Sequence, residues 1–156
     1  MKLTENAGIV GHIELVSRDA AGRLLEVREI KNMVVNTGLT WIAGALSGDT
    51  ADPTTMKYVG IGTGTTAAAA TDTALETEAE SRATGTVTLE TTTTADDTFQ
   101  VVGAITMTGA RAVTEAGLFS ASESGTLGAR RVFDVMNVPS GGSLAITWQW
   151  QFARAA

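Results

Sequence analysis

The run of residues 144–152 alternates large apolar residues with small or polar ones. Its sequence is L-A-I-T-W-Q-W-Q-F, which places Leu144, Ile146, Trp148, Trp150 and Phe152 on one face. A period of two residues is typical of a β-strand with one buried face. Two of the three tryptophans lie in this run. We therefore expect the strand to be packed, against the core of its own subunit or against another subunit.

Composition favours strands elsewhere too. The chain is rich in threonine and has 17 glycines but only two prolines, a balance typical of strands joined by tight turns. The fold class predicted is mainly β, an antiparallel β-sandwich or jelly roll of eight or so strands with one short α-helix. Residues 1–8 are predicted to be an N-terminal arm and residues 9–156 a single domain. The aromatic core is predicted to contain Trp148, Trp150, Phe152, Phe99, Phe119 and Phe133.

Two short segments of the sequence each predict a particular local structure. Residues 9–18 and 23–35 read as strands joined by D-A-A-G, in which Gly22 can adopt a positive φ, so they predict a hairpin. The segment after Asn36 predicts the helix, with Asn36 or Thr37 as N-terminal cap and Gly48 at the C-terminal end. Its predicted buried stripe has i, i+3, i+4, i+7 spacing and consists of Leu39, Ile42, Ala43 and Leu46.

Charge and residue types exclude several classes of protein. Cysteine is absent and His12 is the one histidine, so thiolate and multi-histidine metal sites are excluded. A net charge of −6 argues against a nucleic-acid partner. No apolar run approaches the roughly 18 residues of a membrane span, and the first residues lack a signal-peptide pattern. We expect the protein to act in the cytoplasm of the producing cell or in a particle assembled there.

The G-I-G-T-G segment at residues 60–64 resembles a phosphate-binding loop. The third position of the dinucleotide fingerprint falls on Thr65, however, and the helix that such a loop should open is not amphipathic. We interpret the segment as the glycine-rich end of a strand.

An acidic cluster lies at Asp72, Glu76, Glu78 and Glu80. Alternate carboxylates could bind calcium or supply a catalytic pair, but a solvated face has the same pattern.

Other candidate groups have structural explanations. His12 alternates with Ile13, which places it on the polar face of its strand, and Ser120, Ser122 and Ser124 lack a nucleophile-elbow sequence. Arg130 and Arg131 are adjacent, so in a strand they point to opposite faces. One of them could pair with a carboxylate across a subunit boundary, and solvent exposure is the alternative. No catalytic residue, metal ligand or cofactor site is predicted.

Several segments together carry a resemblance to a known family. They are N-M-V-V-N-T-G-L-T-W-I-A at 32–43, K-Y-V-G-I-G-T-G at 57–64, D-T-A-L-E-T-E at 72–78, V-T-E-A-G-L-F at 113–119, A-R-R-V-F at 129–133 and S-L-A-I-T-W at 143–148. The chain resembles jelly-roll head decoration, or cement, proteins of tailed bacteriophages, and related β-sandwich modules of tail fibres and baseplates. The resemblance covers roughly residues 32–152.

The resemblance implies a non-enzymatic virion protein without a cofactor. It would decorate the exterior of the capsid, hold neighbouring subunits of the major capsid protein together and be assembled in the bacterial cytoplasm. We expect a homo-oligomer on the particle, a trimer in preference to a dimer. Capsid contacts are expected from the first residues of the arm, which are Met1, Lys2, Leu3, Thr4, Glu5 and Asn6. The alternative is a tail fibre or baseplate module that recognises a host surface or a glycan, with Trp41 or Tyr58 stacking on a sugar.

Overall fold

Two five-stranded antiparallel sheets pack face to face in the computed structural model, which describes residues 7–48 and 55–154. This arrangement confirms the predicted β-sandwich with a single short helix. The residues expected to contact a capsid, Met1 to Asn6, lie outside the described residues. Within the described ranges, no helix combines the length and apolar character needed to cross a bilayer.

The described residues form ten strands and one helix. They are β1 (Ala7–Arg18), β2 (Leu24–Lys31), β3 (Met33–Val34), α1 (Asn36–Ser47), β4 (Tyr58–Gly62), β5 (Glu78–Thr84), β6 (Thr86–Glu90), β7 (Thr98–Thr106), β8 (Arg111–Phe119), β9 (Leu127–Val138) and β10 (Ser143–Arg154). The first sheet has the order β2-β1-β10-β7-β6, and the second has the order β3-β9-β8-β4-β5.

The predicted hairpin joins β1 to β2. Gly22 adopts a φ of 81° in its turn, and the Asp19 carboxylate accepts hydrogen bonds from the backbone N–H groups of Ala21 and Arg23 at 3.0 and 2.9 Å. β1 begins at Ala7, before the predicted start of this strand at residue 9, and Ala7 pairs with Arg154.

The core lies between the sheets and is centred on β1 and β10. Their register places Ile13 opposite Trp148 and Leu15 opposite Ile146, and all four side chains are buried. Trp150 is buried as well, and its ring lies 5.5 Å from that of Phe99 between centroids. These large side chains supply much of the apolar surface buried between the sheets.

The predicted aromatic core is wrong for Phe152. Trp148, Trp150 and Phe119 are buried, and Phe99 and Phe133 are partly buried against the core, but 47% of Phe152 is exposed. Phe152 pairs with Ile9 near the end of the first sheet. Its position has the correct alternation, but at this end of the sandwich the opposite sheet leaves it uncovered.

The helix α1 has the predicted extent but a different buried face. Gly48 ends it in the left-handed conformation, with a φ of 74°. The N-terminal cap is Val35 and has no side-chain capping bond; instead, the Thr37 hydroxyl donates to the Leu127 carbonyl at 2.7 Å. Leu39 is 48% exposed, Leu46 is 86% exposed and Ala43 is exposed, so the predicted stripe is wrong except at Ile42. The side that packs contains the buried Gly38 and the partly buried Trp41 and Ile42.

Gly38 sets the distance between α1 and β9. A Cβ atom at this position would lie 2.8 Å from the Gly128 carbonyl carbon and closer still to its oxygen. We predict that Gly38→Ala lowers the free energy of unfolding by about 1 to 3 kcal/mol, because the helix must move away from the strand. Leu46→Ala in the same helix removes an exposed side chain and should cost less than about 0.5 kcal/mol. Urea titration compares the two variants, and a Gly38→Ala protein as stable as the parent would show that the helix shifts freely.

Residues 63–77 cover the outer face of the second sheet. Leu75 from this loop packs with Phe119, Leu127 and Val35 in a second apolar cluster, outside the main core. The loop contains no helical turn. It is therefore held by side-chain contacts and hydrogen bonds rather than by local helical structure.

Candidate functional site

A buried ion network lies under the 63–77 loop and contains the most deeply enclosed charges of the described chain. Arg130 on β9 is 2% exposed and Glu115 on β8 is completely buried. The Arg130 Nε and the Glu115 Oε2 are 2.9 Å apart. A second guanidinium nitrogen of Arg130 contacts Asp72 Oδ2 at 2.7 Å, and a third donates to the Thr66 carbonyl at 3.1 Å. Arg130 thus joins the sheet to the loop that covers it.

Glu115 also accepts hydrogen bonds from the loop backbone. The donors are the N–H groups of Gly64 and Glu76, both at 3.1 Å, and of Thr77 at 2.8 Å. Gly64 has no space for a side chain, because a Cβ there would lie 2.6 Å from Glu115 Oε1. The glycines that resemble a phosphate-binding loop therefore enclose a carboxylate of their own chain.

Arg130 and Asp72 have shifted pKa values. Burial alone would lower the pKa of the Arg130 guanidinium, but hydrogen bonds with Asp72 and Glu115 outweigh it and raise that pKa above its ordinary value. Burial acts on Asp72 in the opposite sense and would raise its pKa, yet the Ala69 N–H and Arg130 hold the pKa of this carboxyl below its usual value. Both groups are charged at neutral pH, and each is paired with an opposite charge inside the domain.

The remaining carboxylates of the acidic cluster each bind a different partner. Glu76 accepts hydrogen bonds from the Thr66 N–H at 2.8 Å and from its hydroxyl at 2.9 Å. Glu78 pairs with Arg82 at 2.6 Å. Glu80 has a φ of 65° and pairs with Arg111 at 2.7 Å. Among the described residues, no three acidic or histidine side chains are placed to hold a metal ion, so the calcium interpretation has no geometric support.

His12 lies in the first sheet, whereas the serines of residues 120–124 lie in the loop between β8 and β9 of the second sheet. His12 is exposed on the outer face of the first sheet, opposite Lys31 and Gln149. Ser120 directly follows β8, and its hydroxyl accepts a hydrogen bond from the Thr126 N–H at 2.8 Å. The fold does not bring these groups together.

The outer face of the first sheet carries a polar groove of ≈ 500 Å³ around His12. Its side chains bind one another: the Gln149 amide donates to Gln100 at 2.7 Å, and the Gln151 amide donates to Asp97 at 3.2 Å. No tryptophan, tyrosine or phenylalanine lines this groove. Trp41 packs against the main core and Tyr58 against the second cluster, and both are partly buried.

An apolar groove opens where the ends of β1 and β10 meet α1. Its volume is ≈ 620 Å³, and its apolar lining comes from Ile9, Val34, Leu39 and Phe152. Leu39 and Phe152 are each about half exposed. The groove adjoins Ala7, where the described chain enters β1 from residues 1–6. Exposed apolar side chains of this size, gathered in one groove, are typical of a contact surface.

Comparison of the chain with family models, with curated proteins and with solved structures found no match.

The carboxylate contacts predict how stability depends on pH. The folded-state pKa lies below its ordinary value for five acids, which are Asp19, Asp72, Glu76, Glu80 and Asp97. The backbone N–H groups of Thr94 and Thr92 are the main cause at Asp97. An unfolded chain then binds more protons than the folded one in acid, so this stability is present above the unfolded pKa values and is lost as pH falls through the folded values.

We therefore expect the urea midpoint to be nearly constant from neutral pH to about pH 5 and to decrease below about pH 4.5. Asp97→Asn should lower the midpoint at neutral pH and make its decrease in acid shallower. A parent protein whose midpoint is the same at about pH 3 as at neutral pH would contradict this account.

Proposed function

We propose that the protein is a non-enzymatic structural protein of a tailed-phage virion, which decorates the exterior of the capsid and holds neighbouring coat subunits together. The resemblance carried by the segments from residue 32 to residue 148 motivates the proposal. The structural observation that supports the proposal is the apolar groove of Ile9, Val34, Leu39 and Phe152, because a surface of this kind favours attachment to another protein.

The distribution of charged groups is consistent with an attachment role. The carboxylates that could have formed a catalytic pair, Asp72, Glu76, Glu78 and Glu80, all bind cations or hydroxyls of the same domain. These contacts fix loops and sheet edges. A protein that is repeated many times on a particle needs internal contacts for stability and a separate apolar surface for adhesion. Each adhesive contact can be weak, because many of them act together on the particle.

The proposed assembly is a homo-oligomer, and a trimer in preference to a dimer. The first sheet has two outer strands, β2 and β6, each paired on one side within the described residues. Closed assembly around a symmetry axis is one way to cover such edges. Light scattering and the symmetry of the density on the particle test this part of the proposal independently of the capsid contact.

Addition of the purified protein to expanded capsids that lack it tests the proposed function. We expect saturable binding, visible as density on the outer surface of the head. Replacing both Leu39 and Phe152 by serine should weaken binding at least about tenfold, roughly 1.4 kcal/mol, and the same change at Leu24, which is 55% exposed elsewhere, should not. Density on the tail alone would contradict the head assignment and favour the tail fibre or baseplate alternative.

Deletion of residues 1–6 tests the expected contribution of the first residues. We predict weaker attachment to capsids with an unchanged melting temperature, because the deletion stops short of Ala7, the first residue of β1. The measurements are capsid co-sedimentation and a thermal melt of the truncated protein. Undiminished capsid binding would remove the role assigned to this segment.

A further inference from the structure

A third groove, of ≈ 510 Å³, opens beside the part of β9 that does not pair with β3. β3 pairs with β9 only at Ala129 and Arg130, so from Arg131 onwards β9 is bonded on one side, to β8, within the described residues. The groove is lined by Arg28 and Arg131, by the hydroxyl residues Thr65 and Thr114, and by apolar side chains that include Phe133.

Arg131 differs from the other polar residues of this groove in its hydrogen bonding. It is partly buried, and its Nε is shielded from solvent without a hydrogen-bond partner in the described part of the chain. Its neighbour Arg130 points to the opposite face and binds two carboxylates there. A guanidinium N–H that is shielded from solvent needs a hydrogen-bond acceptor.

Arg28 adds a second positive charge that is already held in place. It pairs with Glu26, donates to the backbone carbonyl of Asp134, and lies over the Phe133 ring at 6.0 Å from the ring centre. The Thr114 hydroxyl is fixed by donating to the Gly64 carbonyl at 2.8 Å. The one acidic residue that lines the groove is Asp134, whose side chain is exposed.

We propose that this groove binds a carboxylate of a partner protein, presented by an acidic segment that lies along the uncovered edge of β9. Charge complementarity supports this occupant: the guanidinium groups of Arg28 and Arg131 line the groove, and the Arg131 Nε has no hydrogen-bond partner among the described residues. An arginine fork binds a carboxylate through two parallel hydrogen bonds, and an exposed strand edge accepts an extended segment. Free phosphate is the other source of the same oxyanion chemistry. The inference goes beyond the proposed function and does not depend on where in a virion the protein lies.

Nuclear magnetic resonance of the arginine Nε–Hε groups in the full chain tests the proposal directly. The probe is a short end-blocked peptide of alternating valine and glutamate; the matched peptide carries glutamine, and inorganic phosphate is the third arm. We expect the glutamate peptide to shift the Arg131 signal in a saturable way and the glutamine peptide to leave it unchanged. Arg131→Gln should weaken binding at least about tenfold, whereas Lys31→Gln, an equal charge change on the exposed face of β2, should not.

Each possible result of these titrations has a different consequence for the proposal. No shift of the Arg131 signal with either the glutamate peptide or phosphate would overturn the proposal, and this result needs no variant to fold. A shift with phosphate but not with the glutamate peptide would overturn the partner-protein assignment. Equal binding by Arg131→Gln and the parent would show that the peptide lies elsewhere, and retention of binding in Arg131→Lys would contradict recognition by the guanidinium fork.

Discussion

An Arg130→Met protein is expected to be less stable than the parent by about 3 to 5 kcal/mol. The change removes the cation that faces the completely buried Glu115 carboxylate, and an unpaired buried charge is one of the most unfavourable groups in a protein. It also frees Asp72, the contact that ties the covering loop to the sheet. A domain of this kind has roughly 5 to 15 kcal/mol of net stability, so a large part of it would be lost.

A double-mutant cycle with Glu115→Gln isolates the charge effect. Glutamine leaves no buried negative charge, so the additional cost of Arg130→Met should be clearly smaller in that background. Arg131→Met is the matched control, since it changes the next residue of the same strand, which has no carboxylate partner among the described residues, and it should cost little. The measurement is urea titration of the four proteins of the cycle and the control. An Arg130→Met cost that is the same in both backgrounds would contradict the role of the buried pair.

The sequence predicts this sandwich well where alternation is strict and one face is buried. In β10 the even-numbered residues from Leu144 to Trp150 are all buried, and the residues between them are partly exposed. Alternation predicts which face a residue occupies but not where the opposite sheet ends. Phe152 keeps the correct face and is still half exposed, because coverage at the end of a strand depends on elements distant in the sequence.

Prediction of the helix from the sequence is limited in a similar way. Its C-terminal end could be predicted, since Gly48 is a local signal for termination, but the N-terminal cap is Val35 rather than the predicted Asn36 or Thr37. Its buried face could not, because the face is set by the close approach of Gly38 to Gly128. A glycine contributes nothing to an apolar stripe, so periodicity alone directs attention to Leu39 and Leu46, which are exposed.

The ion network was predictable only in part. Adjacency places Arg130 and Arg131 on opposite faces, and one of them does pair with carboxylates, but these belong to the same chain rather than to another subunit. The pairing of Arg130 with Asp72 joins residues far apart in the sequence, which no local pattern encodes. A usable signal was Glu115 within the apolar run V-T-E-A-G-L-F, since an acid in a buried strand requires a partner.

Trp148→Ala is expected to bring the protein close to unfolding. Trp148 has no exposed surface and lies opposite Ile13 at the centre of the first sheet. Removal of a buried aromatic side chain costs about 3 to 5 kcal/mol, through lost burial and through the cavity that remains. The measurement is a thermal melt and urea titration. A Trp148→Ala protein that melts like the parent would show that β10 does not support the core.

Two further variants separate the size of this side chain from its other properties. The Trp148 Nε1 has no hydrogen-bond partner among the described residues, so Trp148→Phe loses volume but no polar contact and should cost clearly less than alanine. Gln149→Ala changes the opposite face of the strand, where the amide donates to Gln100, and should cost about 1 kcal/mol. If that outer face is a subunit interface, Gln149→Ala will also reduce the oligomer mass measured by light scattering, while Trp148→Phe will leave that mass unchanged. Because the two residues are adjacent but face opposite sides of one sheet, the pair distinguishes a strand that supports the core alone from one that also carries the assembly.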